Sequence, residues 1–278
     1  MKNTILHLNC DDLYCEHLQC EHLQRPNHKY PSILLGIAIL LSLACNAAYC
    51  QSTSQSNQST SLGNPGSGFY EPQIKQIEGW TVKVDPQLLA EENRDKGTAA
   101  LKALANHLQR VTYVVRAETL EELRKLPIWI ELAGKGGGLV YHPSAGWLER
   151  NGFNPALEKH VHIPRVEHVL NRNQWTKHPY AVLHELAHAY HDQVLGWNHP
   201  EIVTAYDAAK QSGSYENVLD HRHQTVRHYG MNNHKEYFAE STEAYFGVND
   251  FYPFVRAELK QHDPRMFATL EKIWGKIP

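Results

Sequence analysis

The residues best placed to do chemistry are His184-Glu185-Leu186-Ala187-His188, two histidines four apart with a glutamate directly after the first. On a helix, four residues advance about 400° and roughly 6 Å, so both imidazoles leave one face and can share a single tetrahedral metal ion. Glu185 then lies about 100° around the helix, within reach of a water at that ion, where a carboxylate serves as general base. Two histidines leave positions open for a third protein ligand and for the water. The three fixed letters alone do not decide the matter, since at this chain's His and Glu frequencies they arise in roughly one such sequence in ten. Their setting adds weight. The stretch PYAVLHELAHAYHDQVLG opens at Pro179, a residue preset for a first helical turn, and stops at Gly196. Val182, Leu183, Leu186, Ala187, Ala189, Tyr190, Val194 and Leu195 cover most of its circumference, which predicts a largely buried helix. Polar groups left unpaired there would be costly, and a metal ion resolves that cost.

A third ligand can be sought by spacing. The metzincin extension wants Gly three and His six residues after the second His, where this chain has His191 and Val194. The thermolysin arrangement wants Glu twenty-four residues after the first His, and that position is Ala208. What remain are acids on a downstream helix over Asn233 to Phe246 (NHKEYFAESTEAYF), capped by Asn232 or Asn233 and stopped by Gly247. Glu236 and Glu240 stand one turn apart on one face, and Glu243 continues that face. One such acid can bind metal while another orients a ligating histidine through its second ring nitrogen.

The run Tyr229-Gly230-Met231-Asn232-Asn233-His234-Lys235-Glu236-Tyr237-Phe238-Ala239-Glu240 resembles the anthrax lethal factor catalytic-domain family, which includes secreted Pro-Pro endopeptidases. In that family HExxH is followed some forty to fifty residues later by a Tyr, six intervening residues and a Glu ligand in an ExxFAE-like helix. The likeness covers residues 180 to 246 well, and the upstream part only in the order of its elements. It implies that His184, His188 and Glu236 bind one zinc ion (Zn2+), that Glu185 is the general base, and that Tyr229 supplies a transition-state hydroxyl. Glu240 would be the acid that supports a ligand from behind. The implied fold is α+β and zincin-like, with helices packed on a small mixed sheet and HExxH on the active-site helix. The implied reaction is hydrolysis of peptide bonds in a protein or peptide substrate. His191, His199, His221 and His223 have no counterpart in the pattern and are read as surface or core residues. The toxin's other domains have no room in this chain.

The elements that must carry these residues can be read more coarsely. A length of 278 residues with 42% hydrophobic content suffices for one substantial core, or a core plus a small lobe. Gly79 to Asp85 alternates like a strand, and Thr98 to Arg110 has helical apolar spacing at Leu101, Leu104 and Leu108. Val111 to Val115 reads as a strand and Thr119 to Leu126 as a short helix. Ile128 to Leu132 and Leu139 to His142 read as two strands joined in a hairpin through Gly134-Lys135-Gly136-Gly137-Gly138. That glycine cluster lacks the Lys-Ser/Thr and the helix of a phosphate cradle. Leu139 to His142 is the candidate edge strand onto which an extended substrate would add.

The remaining signals concern compartment and partners. A formal charge of −3, with acids and bases interspersed, excludes the electrostatic footprint of a nucleic-acid partner. All five cysteines precede Gln51, so the folded part has no disulfide to draw on. The tandem repeat CEHLQCEHLQ from Cys15 to Gln24 has no second ligand pair at structural-zinc spacing. Ile33 to Ala44 is an apolar run preceded by Arg25 and Lys29 and followed by small residues, the anatomy of a signal-peptide core and short for a membrane span. Residues 1–50 are therefore expected to be a signal or anchor segment, with residues 33–50 as the alternative membrane anchor. Residues 51–68 are expected to be a flexible Ser/Gln/Gly linker, and residues 69–278 the catalytic domain of a secreted or extracytoplasmic enzyme. Two other functions compete with the peptidase: a catalytically silent binding module of the same fold, and a metal-dependent amidase acting on a non-protein substrate at the cell envelope.

Overall fold

The computed structural model describes residues 69–277. The expected signal or anchor segment, the CEHLQ repeat and the linker lie outside the described residues. Among the described residues no helix is long and apolar enough to cross a membrane.

In chain order the strands are β1 (Gln73–Ile77), β2 (Trp80–Val84), β3 (Ile128–Ile130), β4 (Val140–Tyr141), β5 (Val161–Ile163), β6 (Val218–Leu219) and β7 (Thr225–Val226). The helices are α1 (Arg94–Val114), α2 (Ala117–Arg124), α3 (Ala145–Arg150), α4 (Glu167–Leu170), α5 (Arg172–Lys177), α6 (Ala181–Tyr190), α7 (Pro200–Ser212), α8 (His234–Phe246), α9 (Arg256–His262) and α10 (Pro264–Trp274). Helices predominate over a five-stranded mixed sheet and an antiparallel β6-β7 pair among the described residues, so the fold is α+β.

The sheet runs β1-β2-β3-β5-β4. Its three inner strands are parallel, and the two outer ones are antiparallel to their neighbours. Alternation in WTVKV buries Trp80, Val82 and Val84 on one face of β2, whereas IWI and VHI are buried throughout, as interior parallel strands require. Here the structure corrects the expected hairpin. β3 and β4 are not partners, because β5 lies between them and pairs with both. The glycine-rich segment instead runs beside the chain that leaves β5, where Gly134 N donates to Pro164 O at 2.6 Å. Among the described residues β4 is left as an edge, paired on one side only.

The strand expected over Val111 to Val115 is also corrected. α1 continues to Val114, since Val111 extends the buried stripe of Ala100, Leu104 and Leu108 by one more turn. Packing of that stripe overrides the local β preference of the branched residues. α6 packs against α8, α1 and β4, and α10 covers the other side of α8. Trp274 Nε1 donates to Thr242 Oγ1 at 3.0 Å, and Tyr245 OH to Gly275 O at 2.6 Å, so α8 is tied to α10 while facing α6. Every residue of α8 from Tyr237 to Phe246 is buried.

Candidate active site

α6 begins at Ala181 and its α-helical part ends at Tyr190, where a π-helical turn, His191–Leu195, continues it to Gly196. Nine of its ten residues are buried, and the exception is Glu185, which opens onto a cleft.

α8 brings the partner residues. Asn233 caps it, its Oδ1 accepting from Lys235 N at 2.9 Å and Glu236 N at 3.0 Å, which fixes Glu236 in the first turn where a negative charge suits the helix dipole. The Nε2 atoms of His184 and His188 lie 3.1 Å apart, and Glu236 Oε2 lies 3.3 Å from the first and 3.2 Å from the second. Donors held about 2.0–2.1 Å from a tetrahedral zinc are separated by roughly 3.3–3.4 Å, so this near-equilateral triangle is close to the base such an ion needs. Two imidazole nitrogens and a carboxylate oxygen brought this close together are a donor set that zinc takes. The residues present therefore fit the ion. In the bare cluster, burial opposes the His184 imidazolium, but hydrogen bonds to Glu236 and Glu243 overcome it and raise the His184 pKa well above the ordinary range. Burial likewise opposes the Glu236 carboxylate, and the two histidines hold it well below the usual range.

Behind the triangle, His184 Nδ1 donates to Glu243 Oε1 at 2.7 Å. The same oxygen accepts from His178 Nε2 at 2.7 Å. A proton held on Nδ1 leaves the Nε2 lone pair of His184 free for a metal. His178, His184 and Glu243 are also close enough to form a second metal cluster, but His184 Nδ1 cannot both donate to Glu243 and ligate, so this group is read as support. Glu240, expected in the supporting place, stands 3.7 Å from His184 Nδ1, farther than Glu243. The two ring nitrogens point in divergent directions. The Nε2 side takes Glu236, and the acid reached from the other side lies two helical turns on rather than one. Burial, and then the charge of Glu243, push the Glu240 carboxyl toward its neutral form. Burial opposes charge on Glu243 as well, but His178 and His184 hold it ionised. His178 had no motif to mark it, whereas Glu243 was visible as the continuation of the acidic face.

Tyr229 opens a short 3₁₀ turn, Tyr229–Asn232, capped by His228, whose Nδ1 accepts from Gly230 N at 2.9 Å. Tyr229 is 46% exposed and lines the cleft with Glu185 and Glu236. Burial, and then the charge of Glu236, raise its pKa, so the phenol keeps its proton and can donate. The cleft, a space of about 230 Å³, is also lined by Leu139, by Val140 and Tyr141 of β4, and by Pro143. Tyr141 OH donates to Asp192 Oδ2 at 2.6 Å, Lys159 Nζ donates to the same oxygen, and Gln193 Nε2 donates to Tyr141 OH at 3.2 Å. This cluster ties the edge strand to the π-helical turn that follows the histidines. His191 is buried against Trp197, His234 and Phe238, and among the described residues neither it nor His199, His221 or His223 joins a metal-capable group.

Comparison of the chain with known protein families, with curated proteins and with solved structures returns no match.

Proposed function

We propose that this chain is a zinc-dependent metallopeptidase of zincin-like architecture, exported from the cytoplasm, that hydrolyses internal peptide bonds of a protein or peptide. The observation that carries the reading is the 3.1–3.3 Å triangle of His184, His188 and Glu236, with Glu185 and Tyr229 opening onto the same cleft. Bound to those three donors, zinc would supply Lewis acidity, lowering the pKa of a water and polarising the scissile carbonyl. Glu185 accepts the water's proton and returns it to the departing amine. Tyr229 donates its O–H to the carbonyl oxygen as negative charge grows there, an interaction that strengthens in the transition state. Glu243 keeps the His184 ring in one tautomer and one orientation. The β4 edge offers main-chain groups to an extended chain, which aligns the bond to be cut and favours a peptide over another amide. The presence of both Glu185 and Tyr229 in the cleft favours an enzyme over a silent binding module.

The test is elemental analysis combined with cleavage of a mixed peptide library, with and without a chelator. One equivalent of zinc and chelator-sensitive cleavage are expected, and His188→Ala should lose the metal. Glu185→Gln should keep fold and zinc yet lose roughly 10²- to 10⁴-fold in turnover. Wild-type protein that holds no stoichiometric zinc, or a Glu185→Gln enzyme that cuts at a tenth of the wild-type rate, would overturn the assignment.

A further inference from the structure

Beside the metal ligands the cleft carries one unassigned charge. Its two acids, Glu185 and Glu236, already have work, and among the described residues lining it Lys235 is the one lysine or arginine. The Lys235 ammonium lies over the Trp197 ring, 4.1 Å from its centroid, and among the described residues it pairs with no carboxylate. Trp197 is itself held in place. His234 Nε2 donates to the Trp197 carbonyl at 2.8 Å, and Tyr141 of β4 meets the ring edge-on with centroids 6.3 Å apart. The aromatic face steadies the ammonium without neutralising it, and Lys235 is half-buried where it lines the cleft. Its place in the helix is costly, because Lys235 is the second residue of α8, where the positive end of the helix dipole disfavours a cation. A lysine that gains no partner acid and works against the dipole is poorly explained by stability of α8.

We propose that Lys235 and Trp197 form a specificity subsite for a substrate carboxylate within about two residues of the scissile bond, since adjacent Cα atoms are about 3.8 Å apart and Lys235 directly precedes the ligand Glu236. The proposal rests on the peptidase reading. The ammonium donates to the carboxylate, and the indole face packs against the apolar stem that carries it. An acidic side chain and a free C-terminus present the same chemistry, so the test separates them.

The test uses the full zinc-loaded chain. A peptide library first locates the bond that is cut, and blocked peptides are then made with Glu or Gln at each of the two positions on either side. A further peptide carries neutral side chains and a free C-terminal carboxylate at the same distance. At one position the Glu peptide should have a kcat/KM about 10- to 100-fold above its Gln partner, the range of a charged hydrogen bond. In Lys235→Met that ratio should fall to about one with zinc content unchanged, in Lys235→Arg it should survive, and in Lys235→Glu a Lys peptide should overtake the Glu peptide. Equal preference for the free C-terminus assigns the site to carboxylates of either origin, and preference for Glu alone assigns it to side chains. Cleavage without carboxylate preference, or a preference that survives Lys235→Met, overturns the subsite and leaves the peptidase intact. Failure to cut any peptide overturns the peptidase reading itself, and the subsite with it.

Discussion

Acidifying the protein from about pH 6.5 to about pH 5 sets its buried histidines against its fold. His107 is stacked on Trp175 with ring centroids 3.9 Å apart, and burial, helped by Arg110, lowers its pKa to about 4. His191 is lowered to about 3 by burial and then by His234, and His228 to about 3 by burial and then by His262. His228 has a further reason to stay neutral, since its Nδ1 lone pair caps the turn that carries Tyr229. These folded-state values lie below the ordinary 6.5 of histidine, so the unfolded chain takes up protons first. The stabilisation is complete above pH 6.5 and is lost as the pH falls toward 4. Between pH 6.5 and pH 5 each site loses roughly 1.6 kcal/mol; with His142 and His160, also lowered to about 4 chiefly by burial, the loss is about 8 kcal/mol, and Glu240, raised to about 8 by burial and then by Glu243, offsets about 2 kcal/mol of it. Total stabilities are typically about 5–15 kcal/mol, so the loss is comparable with the whole. His178 acts in the opposite sense. Burial opposes its charge, but Glu243 raises its pKa to about 9, so its contribution grows as pH falls from 9 to 6.5 and is nearly complete there. The offset it leaves below pH 6.5 is under about 1 kcal/mol. Urea unfolding of metal-free protein at half-unit steps should show the midpoint falling by about 2 M across the window. His228→Asn keeps a capping acceptor without a titrating ring, and should recover about a quarter of that fall. A midpoint that stays level between pH 6.5 and pH 5 would refute the reasoning.

Glu243→Gln should weaken zinc binding by about 10- to 100-fold in competition with a chromophoric chelator, and Glu240→Gln by less. Equal losses would mean that Glu243 does not orient His184. Tyr229→Phe should lower kcat by roughly 10²- to 10³-fold with little change in KM or zinc content. A Phe variant that turns over at the wild-type rate would give the hydroxyl another role. Tyr141→Phe removes the donor to Asp192 and should raise KM severalfold while costing about 1 kcal/mol in stability. An unchanged KM would show that the edge strand holds its place without that bond.

Both site helices were legible because their signals are local. α6 is marked by its apolar circumference and the i, i+4 histidines, and α8 by Asn233 at its start and Gly247 at its end. β5 was not legible. Its three residues include His162, which hides a buried interior strand, and its neighbours in the sheet are contributed by distant segments. The supposed hairpin failed for the same reason, since a glycine cluster signals a turn but does not say which strand is waiting beside it. Glu236, Glu240 and Glu243 could be put on one face from the sequence, but the choice of acid for His184 Nδ1 depends on how α6 crosses α8. His178 is held by that crossing alone, and Trp197 and Lys235 meet only because the chain after the π-helical turn folds back over the start of α8.

A strand edge proposed to receive a substrate chain would also be exposed to copies of itself. β4 meets that hazard through brevity, for it is two residues long and Pro143 stands two positions beyond its end. A proline has no amide hydrogen to continue a ladder, and a two-residue ladder is too short to recruit a second sheet by backbone pairing alone. Productive docking must then draw on the cleft as well as the edge, through groups that another copy of β4 does not bring. On the proposed reading, the short edge favours a substrate that fits the whole cleft over β pairing with a second copy.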